Sequence, residues 1–213
     1  MRRARPDAVR TWTSGVLKLV VRFVAIFLLT TALLVSLWSF IAPAYTAVVT
    51  AVARPLLHAV EAPDVSVLEV RGAEIWIYRI VGPGEIAPFT WFDRYTFFAV
   101  IPLLALLVAT PGLGWARRIL RIGWGLGALL AVQIGYVVAS IELSYAAVGL
   151  SQIGAFAART LDVWQIAVRV VWEAAPIAIW IAMTFGVWRE ILRKSRNERH
   201  HETLSTEAIG ASR

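Results

Sequence analysis

Two charged residues stand four positions apart in an otherwise apolar stretch of the chain. At this i, i+4 spacing Arg169 and Glu173 share one face of a predicted helix, where they can form an ion pair. A charged side chain at the centre of a membrane helix costs roughly 2.5–3.5 kcal/mol on insertion scales, so the pair needs an explanation. With Gln133 and Glu142 it could form a polar site facing a bundle interior or a water-filled cleft. Such a site would suit a small transporter or channel.

The same pair also has structural interpretations. An inward-facing ion pair would fix helix packing, or Arg169 could extend its charged end to the lipid headgroups. Proton transport needs several acidic or histidine side chains within the membrane, and only Glu173 clearly qualifies. The sequence is compatible with both the structural and the transport interpretations.

Residues for catalysis or cofactor binding are scarce. The chain has no cysteine, which excludes disulfides, thiolate metal sites and cysteine nucleophiles. Of its three histidines, His200 and His201 are adjacent in the tail, and an enzyme using His58 or Glu173 would lack a companion group. We therefore expect a protein that is not an enzyme, with no metal site and no cofactor.

The composition is that of a membrane protein. The 213 residues are 59% hydrophobic and 16% charged, against about 45–50% and about 25% in soluble domains. The mean hydropathy is +0.68, and ten tryptophans suit bilayer interfaces. The net charge of +7 does not indicate nucleic acid, because membrane proteins collect Lys and Arg on their cytoplasmic side. Membrane lipids are the expected surroundings.

Four apolar stretches are long enough to predict transmembrane helices, given that the hydrocarbon core needs about 20 residues. The predicted spans are residues 23–42, 95–111, 122–141 and 164–188. The segments 1–22, 112–121 and 189–213 hold six, three and six of the 21 Lys and Arg residues, so we assign them to the cytoplasm. Both termini are then cytoplasmic, and the tail 189–213 is predicted to be largely disordered.

The third and fourth spans are separated by a segment that could change this count. Residues 142–163 are predicted to form an interfacial or re-entrant segment at the outer membrane face. Their uncharged part, 143–158, could instead be a fifth span, which would put the tail outside. Within the third span, Gly123 and Gly127 have the G-x-x-x-G spacing that predicts close helix packing, either within the chain or in a dimer.

The outer loop, residues 43–94, is predicted to be periplasmic. Tyr45–Val60 has the pattern of an amphipathic helix, broken or kinked at Pro55. Val65–Arg71 and Glu74–Val81 are rich in β-branched and aromatic residues, and the turn Gly72-Ala73 between them predicts a β-hairpin. The expected fold is therefore an all-α membrane protein, a four-helix transmembrane bundle with a small β-hairpin in the first outer loop.

A lone hairpin is only marginally stable in water, so this one needs a supporting surface. We expect it to rest on the membrane or on another protein. The candidate partner surface consists of four aromatic residues, namely Trp76, Tyr78, Trp91 and Phe92. After the hairpin, Gly82-Pro-Gly84 and Pro88 predict irregular chain, and Thr90 with Asp93 predicts the N-cap of the second span.

The order of four sequence segments resembles the exosortase/archaeosortase group, most closely the small membrane proteins associated with exosortase H in bacteria. The segments are Ala53-Arg-Pro-Leu-Leu-His58, Val65-Ser-Val-Leu-Glu-Val-Arg-Gly72, Glu74-Ile-Trp-Ile-Tyr-Arg79 and Leu103-Leu-Ala-Leu-Leu-Val-Ala-Thr-Pro-Gly112, and the resemblance covers roughly residues 20–140. Exosortases resemble transpeptidases that process a sorting signal with a Cys and Arg/His partners.

Because this chain has no Cys, the resemblance implies a non-catalytic accessory protein rather than a processing enzyme. It also implies a bacterial inner-membrane location and an exosortase-like membrane protein as the partner.

Overall fold

The computed structural model of the protein describes residues 6–60, 66–82, 85–147 and 160–211. Its helices are α1 (Pro6–Val60), α2 (Val100–Ala109), α3 (Trp115–Ala147) and α4 (Leu161–Ala211). Its strands are β1 (Ser66–Arg71), β2 (Glu74–Gly82) and β3 (Glu85–Phe92). The described chain is mostly helical, as expected, with one small antiparallel sheet between α1 and α2.

The helices alternate in direction and pack side by side. Helix α2 contacts α1, α3 and α4, and the chain reverses between α2 and α3 at Gly112, which has a φ of +75°. At this end of the bundle, a Cβ on Gly112 would lie 3.6 Å from Ile191 Cδ1 and 3.7 Å from Val187 Cγ1 of α4. The sheet lies at the other end, where Tyr145 of α3 contacts it.

Three helices in the described chain are long and apolar enough to cross a membrane. They include residues Leu17–Val60, Trp115–Ala147 and Val163–Ile191. Helix α2 is apolar but has only ten residues.

Helix α1 differs from the prediction because it is one continuous helix of 55 residues. The predicted span 23–42 and the predicted amphipathic helix are joined, and the helix continues through Pro43 and Pro55. A proline removes one helical hydrogen bond. An unbroken buried stripe offsets this loss, because the same face packs against the bundle and the sheet at intervals of three or four residues. The stripe is Trp38, Ala42, Thr46, Val49, Ala53 and Leu57.

The predicted hairpin is part of a three-stranded sheet in the order β1-β2-β3. Gly72, at the expected turn, has a φ of +63°. The third strand replaces the irregular chain expected around Pro88. Pro88 is accommodated because β3 is an edge strand with a bulge, where Ile77 pairs with Thr90 but Tyr78 pairs with Pro88.

The second predicted span, 95–111, contains a shorter α-helix than expected. Residues 93–101 form successive turns with i to i+3 backbone hydrogen bonds, and α2 follows at Val100. Asp93 caps these turns, since its Oδ1 accepts hydrogen bonds from the backbone N–H groups of Tyr95 and Thr96, both at 2.9 Å. Thr90, the expected cap, instead lies in β3.

Helices α3 and α4 extend beyond the predicted spans 122–141 and 164–188. The tail predicted to be disordered is helical up to Ala211. Its Arg, Glu, Leu and Ala residues are good helix formers, and α4 supplies a helix that they can extend. Most of the predicted interfacial segment, residues 148–159, lies outside the described residues.

The close contact between α2 and α3 occurs at Gly125, rather than at the predicted Gly123 and Gly127. A Cβ on Gly125 would lie 3.0 Å from Leu107 Cδ1, whereas Gly123 and Gly127 have nothing within 4 Å of that position. The G-x-x-x-G spacing predicted that two helices approach closely, but not which face of α3 does so.

Candidate interaction surface

Strand β2 divides its side chains between two environments. Successive strand side chains point to opposite faces of a sheet. Ile75 and Ile77 are fully buried against the helices, whereas Trp76 and Tyr78 lie on the other face. We call this other side, formed by Glu69, Arg71, Trp76, Tyr78 and Trp91, the aromatic face.

A tryptophan pair forms the centre of the aromatic face. Trp76 and Trp91 are register partners on β2 and β3, and their rings stack with centroids 5.8 Å apart at 20°. Trp91 remains 60% exposed. The Nε1–H of Trp76 donates to Glu74 Oε2 at 3.1 Å, which fixes the orientation of its ring. The face therefore presents a large apolar surface that is held in place.

A cation lies over Trp76 and the neighbouring Tyr78. The guanidinium of Arg71 is 5.2 Å from the centroid of Trp76 and 5.5 Å from that of Tyr78. Its Nη2 donates to Glu69 Oε2 at 3.0 Å, and this hydrogen bond lowers the pKa of the Glu69 carboxyl below its ordinary value. Trp, Tyr and Arg are the residue types that contribute most of the binding energy at protein interfaces, so the face is suited to binding another molecule.

The opposite face of the sheet rests on the helices of the same chain. Tyr145 of α3 is the main contact. Its hydroxyl is 2.7 Å from Ser66 Oγ, and its ring centroid is 4.5 Å from that of Phe89. The guanidinium of Arg79 also lies 4.4 Å from the Tyr145 ring centroid. From α1, Arg54 Nη2 donates to the carbonyl of Leu68 at 2.9 Å. The sheet is thus supported within the chain, and its aromatic face is left uncovered.

One of the four predicted surface aromatics is not on this surface. Phe92 is only 9% exposed and packs edge-on against Tyr136 of α3, with ring centroids 5.9 Å apart. The difference follows from the strand alternation, since Trp91 faces outward and its neighbour must face inward. Trp76, Tyr78 and Trp91 lie on the aromatic face as predicted.

The predicted polar cluster is not assembled. Arg169 Nε donates to Glu173 Oε1 at 2.9 Å, but the two side chains are 74% and 53% exposed and lie on the outer side of α4. Gln133 is fully buried in the bundle, and Glu142 is half-buried farther along α3. The ion pair therefore does not share an interior site with Gln133.

Gln133 instead belongs to a buried contact that the sequence did not reveal. Its Oε1 accepts a hydrogen bond from the hydroxyl of Tyr45, which joins α3 to α1. Gln133 Nε2 is buried and has no hydrogen-bond partner among the described residues. The only sequence signal was the position of Tyr45 seven residues, or about two helical turns, after Trp38.

Within the described ranges, no group of three or more His, Asp or Glu side chains is placed to hold a metal ion. Comparison of the chain with protein-family models, with characterised proteins and with solved structures gave no match.

Proposed function

We propose that the chain is a non-catalytic protein of the bacterial inner membrane that docks a second membrane protein on its aromatic face. The observation that carries this proposal is the stacked Trp76–Trp91 pair, in which a hydrogen bond orients Trp76 while Trp91 remains 60% exposed.

Membrane insertion is supported by the large apolar side chains exposed on the surface of the bundle. Large apolar side chains such as Leu29, Phe40 and Phe185 are 73%, 80% and 63% exposed. A contiguous apolar surface of this extent is rarely left in contact with water. On α4, Arg169 and Trp188 are 19 positions apart, or about 28 Å along the axis, close to the roughly 30 Å of a bilayer core. The Arg169–Glu173 pair would then lie at the outer boundary, within reach of water and headgroups.

The fourth crossing would be made by the turns before α2 together with α2 itself. Six residues in turns at about 2.0 Å each and ten helical residues at about 1.5 Å each give about 27 Å. Contacts from α1, α3 and α4 surround α2, and Phe97 in the turns before it is fully buried. This supports four crossings.

The distribution of charge supports an orientation. Lys18, Arg22 and Arg118 line one cavity at the end of the bundle opposite the sheet. Basic residues mark the cytoplasmic side, so we infer that the sheet and its aromatic face are on the outer side.

For the occupant of the aromatic face we propose an exosortase-like membrane protein, on the basis of the sequence resemblance. The residue types of the face suit a protein partner, because Trp, Tyr and Arg dominate the binding energy of protein interfaces. The missing Cys supports an accessory role in such a complex.

Co-purification in a mild detergent tests this proposal. The tagged chain should recover an exosortase-like protein co-expressed from the same genome, and the double change Trp76→Ala, Trp91→Ala should reduce recovery more than tenfold. Tyr95→Ala is the matched control, since Tyr95 is an aromatic residue 62% exposed at the same end of the molecule but outside the face.

Recovery of the wild-type chain alone would refute the docking proposal, and so would equal loss with Tyr95→Ala. Membrane insertion is tested separately by alkaline carbonate, which should leave the protein in the membrane pellet.

A further inference from the structure

A basic cavity lies at the end of the bundle opposite the sheet. It has a volume of about 520 Å³, within the range of small-molecule sites. Lys18 and Arg22 of α1 and Arg118 of α3 line it, together with the Thr110-Pro111-Gly112 turn between α2 and α3. None of its eleven lining residues, all in the described chain, is acidic.

Arg118 is held so that part of its guanidinium remains available. Its Nη2 donates to the carbonyl of Thr110 at 3.1 Å. Thr110 is itself fixed, because its Oγ1 donates to the Leu106 carbonyl at 2.7 Å and accepts from Trp180 Nε1 at 3.0 Å. The Nε–H of Arg118 is buried and has no acceptor among the described residues.

A buried guanidinium N–H group without an acceptor is rare, and with Lys18 and Arg22 beside it the Arg118 Nε–H suits an anion that accepts several hydrogen bonds. The cavity also adjoins the first turn of α3, whose helix dipole favours negative charge. A phosphate group satisfies both the donors and the charge.

The other wall of the cavity is apolar. Leu19, Phe23 and Ile26 of α1 line it. The ring centroid of Phe23 lies 6.2 Å from that of Trp180 and 6.3 Å from that of Trp188, both on α4. A cation cluster beside an apolar wall favours a ligand with a phosphate and a hydrocarbon chain over a free anion. Basic pockets between membrane helices bind anionic headgroups in this way.

We propose that this cavity binds the phosphate of an anionic phospholipid from the surrounding cytoplasmic leaflet, with the acyl chains along the Leu19–Ile26 wall. This inference rests on the proposed membrane insertion, but not on the proposed partner.

The test measures lipid binding to the purified full chain by native mass spectrometry and by melting temperature in a neutral detergent. Phosphatidylglycerol should bind and stabilise the wild type, whereas phosphatidylcholine and inorganic phosphate at the same concentration should not. Arg22→Gln should weaken phosphatidylglycerol binding about fivefold, as expected for losing one cation beside an anionic headgroup. Arg118→Gln should weaken it further.

Arg117→Gln is the control for both variants, because it removes the same charge from an exposed neighbour that does not line the cavity. Equal weakening by Arg117→Gln would overturn the site in favour of diffuse charge attraction. Equal stabilisation by inorganic phosphate would overturn the lipid assignment. Arg118→Gln also removes a hydrogen bond to the turn, so this variant could fail to fold. In that case Arg22→Gln alone still tests the site.

Extraction of the protein by alkaline carbonate would refute membrane insertion. If the protein resists carbonate but neither binds phosphatidylglycerol nor is stabilised by it, the lipid site alone is refuted.

Discussion

Tyr45 and Gln133 join α1 to α3 through a side-chain hydrogen bond inside the bundle. The partners are 88 residues apart in sequence, so no local pattern could have paired them. By contrast, the spacing of Arg169 and Glu173 was sufficient to predict their ion pair, because helix geometry alone makes residues i and i+4 neighbours. It could not predict that the pair is exposed, because the surrounding stretch is apolar on every side and no single face is marked as inward.

Removing both partners of the Tyr45–Gln133 contact should destabilise the protein by less than the sum of the two single removals. Tyr45→Phe leaves Gln133 Oε1 buried without a donor, and Gln133→Leu leaves the tyrosine hydroxyl without an acceptor. Each single change should cost about 1–3 kcal/mol of unfolding free energy. The double variant should cost clearly less than the sum of the two, as measured by denaturant titration in micelles. Additive costs would show that the two side chains do not depend on each other.

At the scale of elements, the third strand and the short α2 are the features that the sequence did not predict. Pro88 argued against a strand, yet it lies on an edge strand at a bulge, where a missing N–H is tolerated. The two-residue turn at Gly72-Ala73 was predictable because glycine readily adopts its positive φ. Of the four aromatic residues predicted to form a partner surface, Trp76, Tyr78 and Trp91 share one face of the sheet. Placing Phe92 on the other face required knowing where β3 begins and which way it alternates.

The contact of α2 with α3 at Gly125 gives a prediction for element packing. Gly125→Val should destabilise the bundle by about 1–3 kcal/mol, because the added methyl groups meet Leu107. This corresponds to a fall of about 2–10 °C in melting temperature in detergent. The control is Gly127→Val on the same helix, where nothing lies within 4 Å of the new Cβ. A similar fall in both variants would mean that valine acts through helix propensity rather than packing.

At the scale of the whole molecule, the alternating helices separate a basic end from an end that carries the sheet. The concentration of Lys and Arg in three segments was enough to predict that one end of the bundle is basic. That prediction depends on the composition of the segments rather than on contacts between them. The support of the sheet by Tyr145 was not predictable, since it joins segments that are distant in the chain.

Cysteine labelling tests the proposed orientation. The wild-type chain has no cysteine, so any labelling of a variant comes from its single introduced cysteine. The unlabelled wild type is the negative control. Glu69→Cys, on the aromatic face, should react with a membrane-impermeant maleimide in intact cells. Arg117→Cys, at the basic end, should react only after the membrane is permeabilised. The reverse pattern would invert the orientation, and labelling of both in intact cells would argue against a membrane barrier between the two ends.

Helix α1 connects these two ends without interruption. The same helix contributes Lys18 and Arg22 to the basic cavity and Arg54 to the support of the sheet. Lys18 and Arg54 are 36 residues apart, or about 54 Å along the axis. Over that length a 10° change in tilt, such as a thinner bilayer would impose, displaces one end sideways by about 9 Å relative to the other. In the proposed membrane the helix would therefore act as a lever that couples bilayer thickness to the lateral position of the proposed docking surface.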